Sequence, residues 1–178
     1  MAIHHNQSTH SLLVEKFVRE LRQASELGEV LDLACGSGRN GLYLARQGIS
    51  VVFADQNQEQ LNQIEDIIQA EQLSARTWLV DLETGSPLAD KCFGAVIVFR
   101  YLHRPLFQAI KTSTASSGLV IYETFNQGQK VYGRPRNPDF LLRENELQEE
   151  FEGWKILHQF EGITSAPQSS ISQIVACR

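Results

Sequence analysis

The chain has 178 residues, of which 42% are hydrophobic and 21% are charged, and its formal net charge at pH 7 is −5. This composition predicts a single soluble globular domain over residues 1–178. It excludes a membrane-spanning helix, since no apolar run approaches the ~20 residues that cross a bilayer, and the acidic charge disfavours a nucleic-acid partner.

The N-terminal segment and the cysteines give no sign of export or of metal binding. Residues 1–7 lack the apolar segment of a signal peptide, so we expect a disordered start and a cytoplasmic location. The histidines near this end have no ordering partner, and we predict no metal site. The cysteines are odd in number and widely separated, which is typical of reduced thiols: Cys35, Cys92 and Cys177.

The first predicted elements are a helix and a strand. Within residues 8–27, apolar side chains such as Phe17 and Leu21 recur at a helical spacing, which predicts an N-terminal helix packed on the sheet. The apolar segment Glu29–Ala34 predicts the first strand. In this strand the carboxylate of Asp32 lies close to the carboxyl end.

A glycine-rich loop follows the first strand. The sequence Gly36-Ser37-Gly38-Arg39-Asn40-Gly41 matches G-x-G-x-x-G, and Asp55 follows 19 residues after Gly36. This pattern is compatible with a dinucleotide site, where the helix N-terminus holds a pyrophosphate. Asp32 argues against a dinucleotide, because its carboxylate would lie beside the negatively charged pyrophosphate. S-adenosylmethionine fits better, because it carries a sulfonium and an ammonium and no phosphate. An NAD-dependent oxidoreductase is the alternative.

The residues of this loop are candidates for cofactor binding. Gly36 and Gly38 allow a ligand to approach the backbone closely. Ser37 and Asn40 either cap the following helix, which we predict to end at Gly48, or contact the carboxylate of the ligand.

The second strand, Ser50–Asp55, also ends on an acid. The carboxylate of Asp55 can accept hydrogen bonds from both ribose hydroxyls, and the alternative is an acid that stabilises a helix N-terminus. The neighbouring Gln56 either contacts the adenine or is solvated.

The third strand repeats this arrangement. A helix capped by Asn57 leads to the strand Ala75–Val80, and Asp81 follows it. Asp81 can accept from the adenine amino group while the Leu82 N–H faces a ring nitrogen, or it is a turn residue. Three successive strands with an aspartate at the end favour adenine recognition.

The second half of the chain continues the alternation of strands and helices. The predicted elements are strand Phe93–Phe99, helix Pro105–Ser113, strand Gly118–Phe125, helix Glu144–Phe151, and an antiparallel pair Trp154–Phe160 and Ser172–Cys177. This order predicts an α/β fold with a doubly wound, seven-stranded, mostly parallel sheet. Its ligand crevice should lie at the carboxyl ends of the parallel strands.

Residues 126–143 form a connection long enough to be a lid. The segment contains four basic residues and one acid: Lys130, Arg134, Arg136, Arg143 and Asp139. A positive loop on an acidic protein can attract an anion, so Arg134 and Arg136 are candidates for substrate binding. The alternative is an exposed loop whose charge is incidental.

Two segments resemble a known family. Asp32-Leu33-Ala34-Cys35-Gly36-Ser37-Gly38 resembles the first motif of the class I S-adenosylmethionine-dependent methyltransferases. The longer run Leu31–Ala45 is similar to the tellurite-resistance subgroup, and Phe140–Trp154 resembles the later Glu-Leu…Glu-Gly-Trp segment of that subgroup. The resemblance implies a Rossmann-like fold and S-adenosylmethionine as cofactor, with Ala34 among the residues that bind it.

By this resemblance, methyl transfer takes place after the fourth strand. Phe99 either packs on the methionine moiety or belongs to the core. Tyr101 and His103 are candidates for proton transfer, although a lone histidine at a helix start is more often structural. Arg100 and Arg104 either hold an anionic substrate or are ordinary surface charges.

The expected acceptor is a small molecule. The sequence has neither an Asn/Asp-Pro-Pro-Tyr motif nor a cysteine nucleophile after a proline, which argues against methylation of nucleic-acid bases. The basic loop favours an anionic acceptor, and the resemblance implies a tellurium or selenium oxyanion or a small thiol, with a role in tellurite resistance. A non-catalytic S-adenosylmethionine-binding module is a further alternative, and the sequence leaves the catalytic residues and the oligomeric state open.

Overall fold

The computed structural model describes residues 10–165 and 167–178, so the predicted disorder of residues 1–7 lies outside the described residues. The helices are α1 Leu12–Lys16, α2 Val18–Ala24, α3 Arg39–Arg46, α4 Gln58–Glu71, α5 Leu106–Ser113 and α6 Glu146–Glu150. The strands are β1 Val30–Leu33, β2 Val51–Asp55, β3 Ala75–Leu79, β4 Phe93–Phe99, β5 Thr114–Phe125, β6 Lys155–Ser165 and β7 Gln168–Cys177.

The strands form one seven-stranded sheet in the order β3-β2-β1-β4-β5-β7-β6. Strands β1 to β5 are parallel, whereas β7 pairs antiparallel with both β5 and β6. The predicted α/β fold with an antiparallel C-terminal pair is therefore confirmed. The strand order reverses at β1, so a crevice opens beyond the carboxyl ends of β1 and β4.

Helices cover both faces of the sheet, each over its own apolar core. Helices α1 to α4 pack on one face through residues such as Leu21, Leu44 and Ile64. Helices α5 and α6 pack on the other face through residues such as Phe107 and Leu147. Strand β4 is buried along its whole length, as expected for a central parallel strand covered on both sides.

The N-terminal prediction of one helix over residues 8–27 was wrong in one respect, because the described part, residues 10–27, does not form a single helix. The segment breaks at Phe17, which has φ −108° and ψ 19° and lies between α1 and α2. The apolar spacing continues across the break, so the periodicity could not reveal it. Ser11 caps α1 by accepting a hydrogen bond from Leu13 N–H.

Helix α3 ends at Arg46, two residues before the predicted end at Gly48. Gly48 has φ +78° and donates its N–H to Ala45 O, so it lies just past the helix in the left-handed position that favours glycine. Within residues 10–165 and 167–178, no helix has the length and hydropathy needed to cross a membrane.

The 126–143 segment has some regular structure. It contains two short 3₁₀ helices, Gln127–Val131 and Pro138–Phe140. The side chains of Asn126 and Gln129 hydrogen-bond to Ser170 of β7, so these bonds fix the first part of the segment to the sheet.

Candidate functional site

A cleft of about 230 Å³ opens at the carboxyl ends of the parallel strands. It is lined by Ala34, Asp55, Gln56, Val80, Asp81, Leu82, Glu83, Phe99, Arg100 and Tyr101. Six of the eleven predicted cofactor-binding residues line it: Ala34, Asp55, Gln56, Asp81, Leu82 and Phe99. The sequence pattern therefore brought these six residues from four different strand ends to one cavity.

Asp55 is held in place by two backbone donors. Gly36 N–H donates to its Oδ2 at 2.8 Å, and Asn57 N–H donates to its Oδ1 at 2.9 Å. The first bond ties the end of β2 to the glycine-rich loop, and the second stabilises the turn that leads into α4. Each carboxylate oxygen keeps a second lone pair, so Asp55 can still accept hydrogen bonds from two hydroxyls in the cleft.

The opposite end of the cleft contains Asp81, Glu83 and Tyr101. Asp81 Oδ1 accepts from Glu83 N–H at 2.9 Å, and Tyr101 Oη donates to Glu83 Oε1 at 3.4 Å. Burial raises the pKa of Tyr101, and the nearby Glu83, Asp81 and Asp55 raise it further. The phenol therefore stays protonated near neutral pH and acts as a hydrogen-bond donor rather than as a base.

Asp32 lies beneath the cleft and does not line it. Its side chain is buried, and Oδ2 accepts a hydrogen bond from Gly41 N–H of α3 at 2.9 Å. Burial raises the pKa of Asp32 to about 7, while the Gly41 hydrogen bond and the charge of Arg39 oppose this increase. Asp32 therefore titrates near neutral pH, and it connects β1 to the start of α3.

Two glycines of the glycine-rich loop have different surroundings. A Cβ on Gly41 would lie 2.7 Å from Asp32 Oδ2 and 2.3 Å from the Phe53 ring. By contrast, a Cβ on Gly36, whose φ is +53°, would meet nothing within 4 Å. The backbone at Gly36 thus faces space that a ligand can enter, whereas Gly41 is required for packing.

Other predicted loop residues contact the protein instead of the cleft. Gly38 has φ +71° and is the N-cap of α3, without a side-chain cap. Ser37 is exposed and Asn40 is buried. The Oδ1 atom of Asn40 accepts a hydrogen bond from Ser11 N–H at 2.8 Å, so this side chain attaches the segment before α1 to α3.

Two non-glycine residues with left-handed backbone follow adjacent strands. Ala34 follows β1 with φ +54°, and Arg100 follows β4 with φ +59°. Both residues line the cleft. Such conformations cost about 1–3 kcal/mol and concentrate at functional sites, which supports a functional role for this point of the sheet.

A second cavity, of about 300 Å³, adjoins the first. It is lined by Glu83, Arg100, Tyr101, Leu102, Thr124, Phe125, Pro135 and Phe140. Glu83, Arg100 and Tyr101 line both cavities, and Pro135 and Phe140 come from the 126–143 segment. The two cavities therefore share one wall, formed by these three residues.

Arg100 is the basic residue at this shared wall, which also contains the acidic Glu83. Its Nη2 lies 3.2 Å from Oε1 of the buried Glu123, and its guanidinium stacks over the Phe125 ring at 4.5 Å from the centroid. Burial lowers the pKa of Arg100, and the charge of Glu123 opposes that effect. Glu123 was not among the sequence-predicted residues, because nothing in the local sequence of β5 indicates which side chain it faces.

The remaining substrate-side candidates lie elsewhere. His103 lines a third cavity, between residues 82–89 and α5, which shares Leu82 and Glu83 with the first. Arg104 lines neither of the two adjoining cavities, because its guanidinium donates to Glu146 and to the Asp139 and Leu141 carbonyls. This pairing gives Arg104 a structural role in place of the predicted anion binding.

Arg134 and Arg136 keep their charges available. Both side chains are exposed, and within residues 10–165 and 167–178 neither forms an ion pair. They belong to the same segment as Pro135, which lines the second cavity. The lid function of residues 126–143 stays a prediction.

Comparisons with known proteins identify the family of this chain. The family model described as "Tellurite resistance protein TehB" matches residues 5–169. The "Probable S-adenosyl-L-methionine-dependent methyltransferase TehB" of Haemophilus influenzae is 28% identical over 142 residues, which cover 76% of this chain and 49% of the relative. The chain thus spans about half the length of the curated relative it matches.

Solved structures show the same fold. The crystal structure of TehB from Haemophilus influenzae superimposes with a TM-score of 0.71 at 21% identity, over 90% of this chain and 62% of that chain. A structure described as "Conversion of a Disulfide Bond into a Thioacetal Group during Echinomycin Biosynthesis" gives a TM-score of 0.71 at 17% identity, over 97% of this chain and 84% of that chain.

Proposed function

Because this chain belongs to the TehB family of tellurite resistance proteins, we propose that it transfers a methyl group from S-adenosylmethionine to a small acceptor. The observation that carries the proposal is the pair of adjoining cavities. The first is lined by Asp55, Asp81 and Glu83, and it shares Glu83, Arg100 and Tyr101 with the second. A cofactor in the first cavity can therefore present its methyl group to an acceptor in the second.

The charges of the first cavity suit the proposed cofactor. S-adenosylmethionine carries a sulfonium and an ammonium and no phosphate, so acidic side chains favour it over a dinucleotide. In this proposal Asp55 accepts hydrogen bonds from the ribose, while Asp81 and Leu82 N–H recognise the adenine. Gln56 and Phe99 pack on the ligand from opposite parts of the lining.

Methyl transfer makes few chemical demands on the protein. A lone pair of the acceptor attacks the methyl carbon, the carbon–sulfur bond breaks, and its electrons return to sulfur to give neutral S-adenosylhomocysteine. Alignment of the two reactants supplies most of the acceleration, up to ~7–11 kcal/mol. Among the described residues, the linings of the two cavities include no histidine or lysine, and the carboxylate common to both is that of Glu83. This favours an acceptor that is already deprotonated or that needs no base stronger than a carboxylate.

We propose a small oxyanion or thiolate as the acceptor, with tellurite and selenite as the first compounds to test. The basic residues Arg134 and Arg136 support an anion, and the family name supports a tellurium compound. The polarisable sulfur of a thiolate is equally suited to attack on a methyl group. A cytoplasmic location, in which such thiols stay reduced, remains a prediction.

The test is incubation of the protein with isotope-labelled S-adenosylmethionine and a panel of tellurite, selenite and small thiols. Mass spectrometry should detect a methylated product from at least one of them. Titration with S-adenosylhomocysteine should show binding, and NADH should give no fluorescence change. Binding of the cofactor without any product would identify a non-catalytic binding module, and binding of NADH alone would identify an oxidoreductase.

A further inference from the structure

Arg100 is constrained on several sides at the boundary between the two cavities. Its backbone N–H donates to Glu123 O at 2.8 Å. Its guanidinium contacts the Glu123 carboxylate at one edge and the Phe125 ring across its face. A planar guanidinium held in this way keeps its other N–H groups in a fixed direction.

A row of polar side chains continues from Glu123 across the sheet. Gln173 of β7, which is in register with Glu123, donates from Nε2 to Glu123 Oε2 at 2.6 Å. The Oε1 atom of Gln173 lies 3.0 Å from His158 Nε2 of β6. The three side chains therefore lie on neighbouring strands, and Gln173 is oriented by a partner on each side.

This row determines how the Glu123 carboxylate is placed. Glu123 is buried, and its two oxygens have different partners, Arg100 at Oε1 and Gln173 at Oε2. A buried carboxylate oxygen without a donor is costly, so removal of the Gln173 amide would make Glu123 turn toward another donor. Arg100 would then lose the partner that sets its orientation.

We propose that Glu123 and Gln173 are positioning residues for the methyl acceptor. They orient Arg100 so that its remaining N–H groups donate to the oxyanion or thiolate in the second cavity. Because Glu123 offsets the charge of Arg100, recognition depends on the direction of the hydrogen bonds more than on net positive charge. This inference rests on the proposed methyl transfer and adds two residues that touch neither reactant.

The test is a double-mutant cycle of Gln173→Met and Arg100→Lys. Gln173→Met keeps the length of the side chain and removes the donor to Glu123, and Arg100→Lys keeps a charge but loses the planar fork. We expect Gln173→Met to lower kcat/KM for the acceptor about 10-fold, while the affinity for S-adenosylhomocysteine changes less than about twofold. In the Arg100→Lys background the same change should cost less than about twofold, because the residue through which Gln173 acts is gone.

Gln159→Met is the matched control. Gln159 is an exposed glutamine on β6 whose amide hydrogen-bonds to Gln148, so it is outside the row, and its variant should keep the kinetics of the unmodified protein. An equal loss from Gln173→Met in both backgrounds would overturn the inference, because it would indicate a general structural role.

A crystal structure of the Gln173→Met variant provides a readout that does not depend on activity. We expect the Arg100 guanidinium to leave its place beside Glu123 and over Phe125. An unchanged guanidinium would overturn the inference even if no acceptor in the panel were methylated. Absence of any methylated product from the unmodified protein would instead count against the proposed function alone.

Discussion

The two adjoining cavities are built in different ways. In the first, both aspartates accept a hydrogen bond from the backbone N–H two residues further on, Asn57 N–H for Asp55 and Glu83 N–H for Asp81. In the second, Arg100 of the β4 end depends on Glu123 of β5, and Glu123 depends on Gln173 of β7. Local sequence thus determines the first cavity, and the pairing of distant strands determines the second.

Because the two cavities are built in different ways, the residues of one can change without a change in the other. A cofactor site made of short local motifs can be retained while the acceptor site changes through β5, β7 and the 126–143 segment. Substitutions in the first cavity should therefore affect cofactor affinity, whereas substitutions in the second should affect the acceptor. The following variants test whether the two functions separate in this way.

The largest effect should come from Asp55→Ala. The carboxylate accepts from Gly36 N–H and can accept from the ribose hydroxyls, so its loss should weaken S-adenosylmethionine binding by about 1–3 kcal/mol. Isothermal titration calorimetry measures this affinity, and KM for the acceptor should stay unchanged. Asp66→Ala, an exposed aspartate on α4, is the control, and equal affinities of the two variants would remove Asp55 from the cofactor site.

Arg104→Met should affect stability and leave the affinity for both reactants unchanged. The guanidinium makes two hydrogen bonds, of 2.6 and 2.9 Å, to Glu146, whose side chain is 2% exposed. About a third of the Arg104 side chain is exposed, and Arg143 N–H still donates to Glu146, so we expect a loss of about 1–2 kcal/mol in the free energy of unfolding. Urea denaturation measures it.

The pH dependence of this loss gives a sharper test. Burial alone would raise the pKa of Glu146, but the hydrogen bonds from Arg104 and Arg143 N–H and the two positive charges lower it. A lowered pKa in the folded state contributes stability that is present above the unfolded value of about 4.3 and is lost as the pH falls through the folded value. The stability difference between the unmodified protein and Arg104→Met should therefore shrink in acid. A difference that stays constant down to pH 3 would contradict this account.

Most of the first cavity, the proposed cofactor site, could be predicted from the sequence. Asp55 follows a buried apolar strand, and Asp81 follows the partly exposed edge strand β3. Both strands are parallel, so the meeting of their carboxyl ends at one edge is a property of the fold class. The break at Phe17 was missed, because the apolar positions keep their helical spacing through it. The sequence also could not distinguish the exposed Ser37 from Asn40, whose partner Ser11 is 29 residues away.

Most of the second cavity, the proposed acceptor site, could not be predicted from the sequence. The residues Arg100 and Arg104 look alike in the linear sequence, yet one lines both cavities and the other is paired with Glu146. Their roles differ because Glu123 and Glu146 reach them from other parts of the chain. Such pairings depend on the register between strands and on the path of the 126–143 segment, which no local pattern predicts.

Asp32→Asn tests how the charge beneath the cleft affects the cofactor. S-adenosylmethionine differs from S-adenosylhomocysteine by the positive sulfonium, so an ionised Asp32 should favour the former by about fivefold. Since burial raises the pKa of Asp32 to about 7, this preference should increase between pH 6 and pH 8. In the Asp32→Asn variant the ratio of the two affinities should not change with pH. A preference that is the same in both proteins at pH 8 would show that Asp32 acts only through its hydrogen bond to Gly41.

The smallest effect is expected from Arg134→Ala combined with Arg136→Ala. Both arginines are exposed and lie on either side of Pro135 at the second cavity, so they act on an anionic acceptor through screened, longer-range attraction. We expect kcat/KM for the acceptor to fall about two- to fourfold at low ionic strength, and the difference should disappear at about 0.5 M salt.

The control variant, Arg19→Ala with Lys155→Ala, removes the same charge from exposed positions outside both cavities. If the two double variants lose the same activity on an anionic acceptor, net charge alone is responsible and the 126–143 segment has no special part in capture. If a thiol without any other charged group shows the same loss as the oxyanion, the arginines act through the shape of the segment and not through their charge.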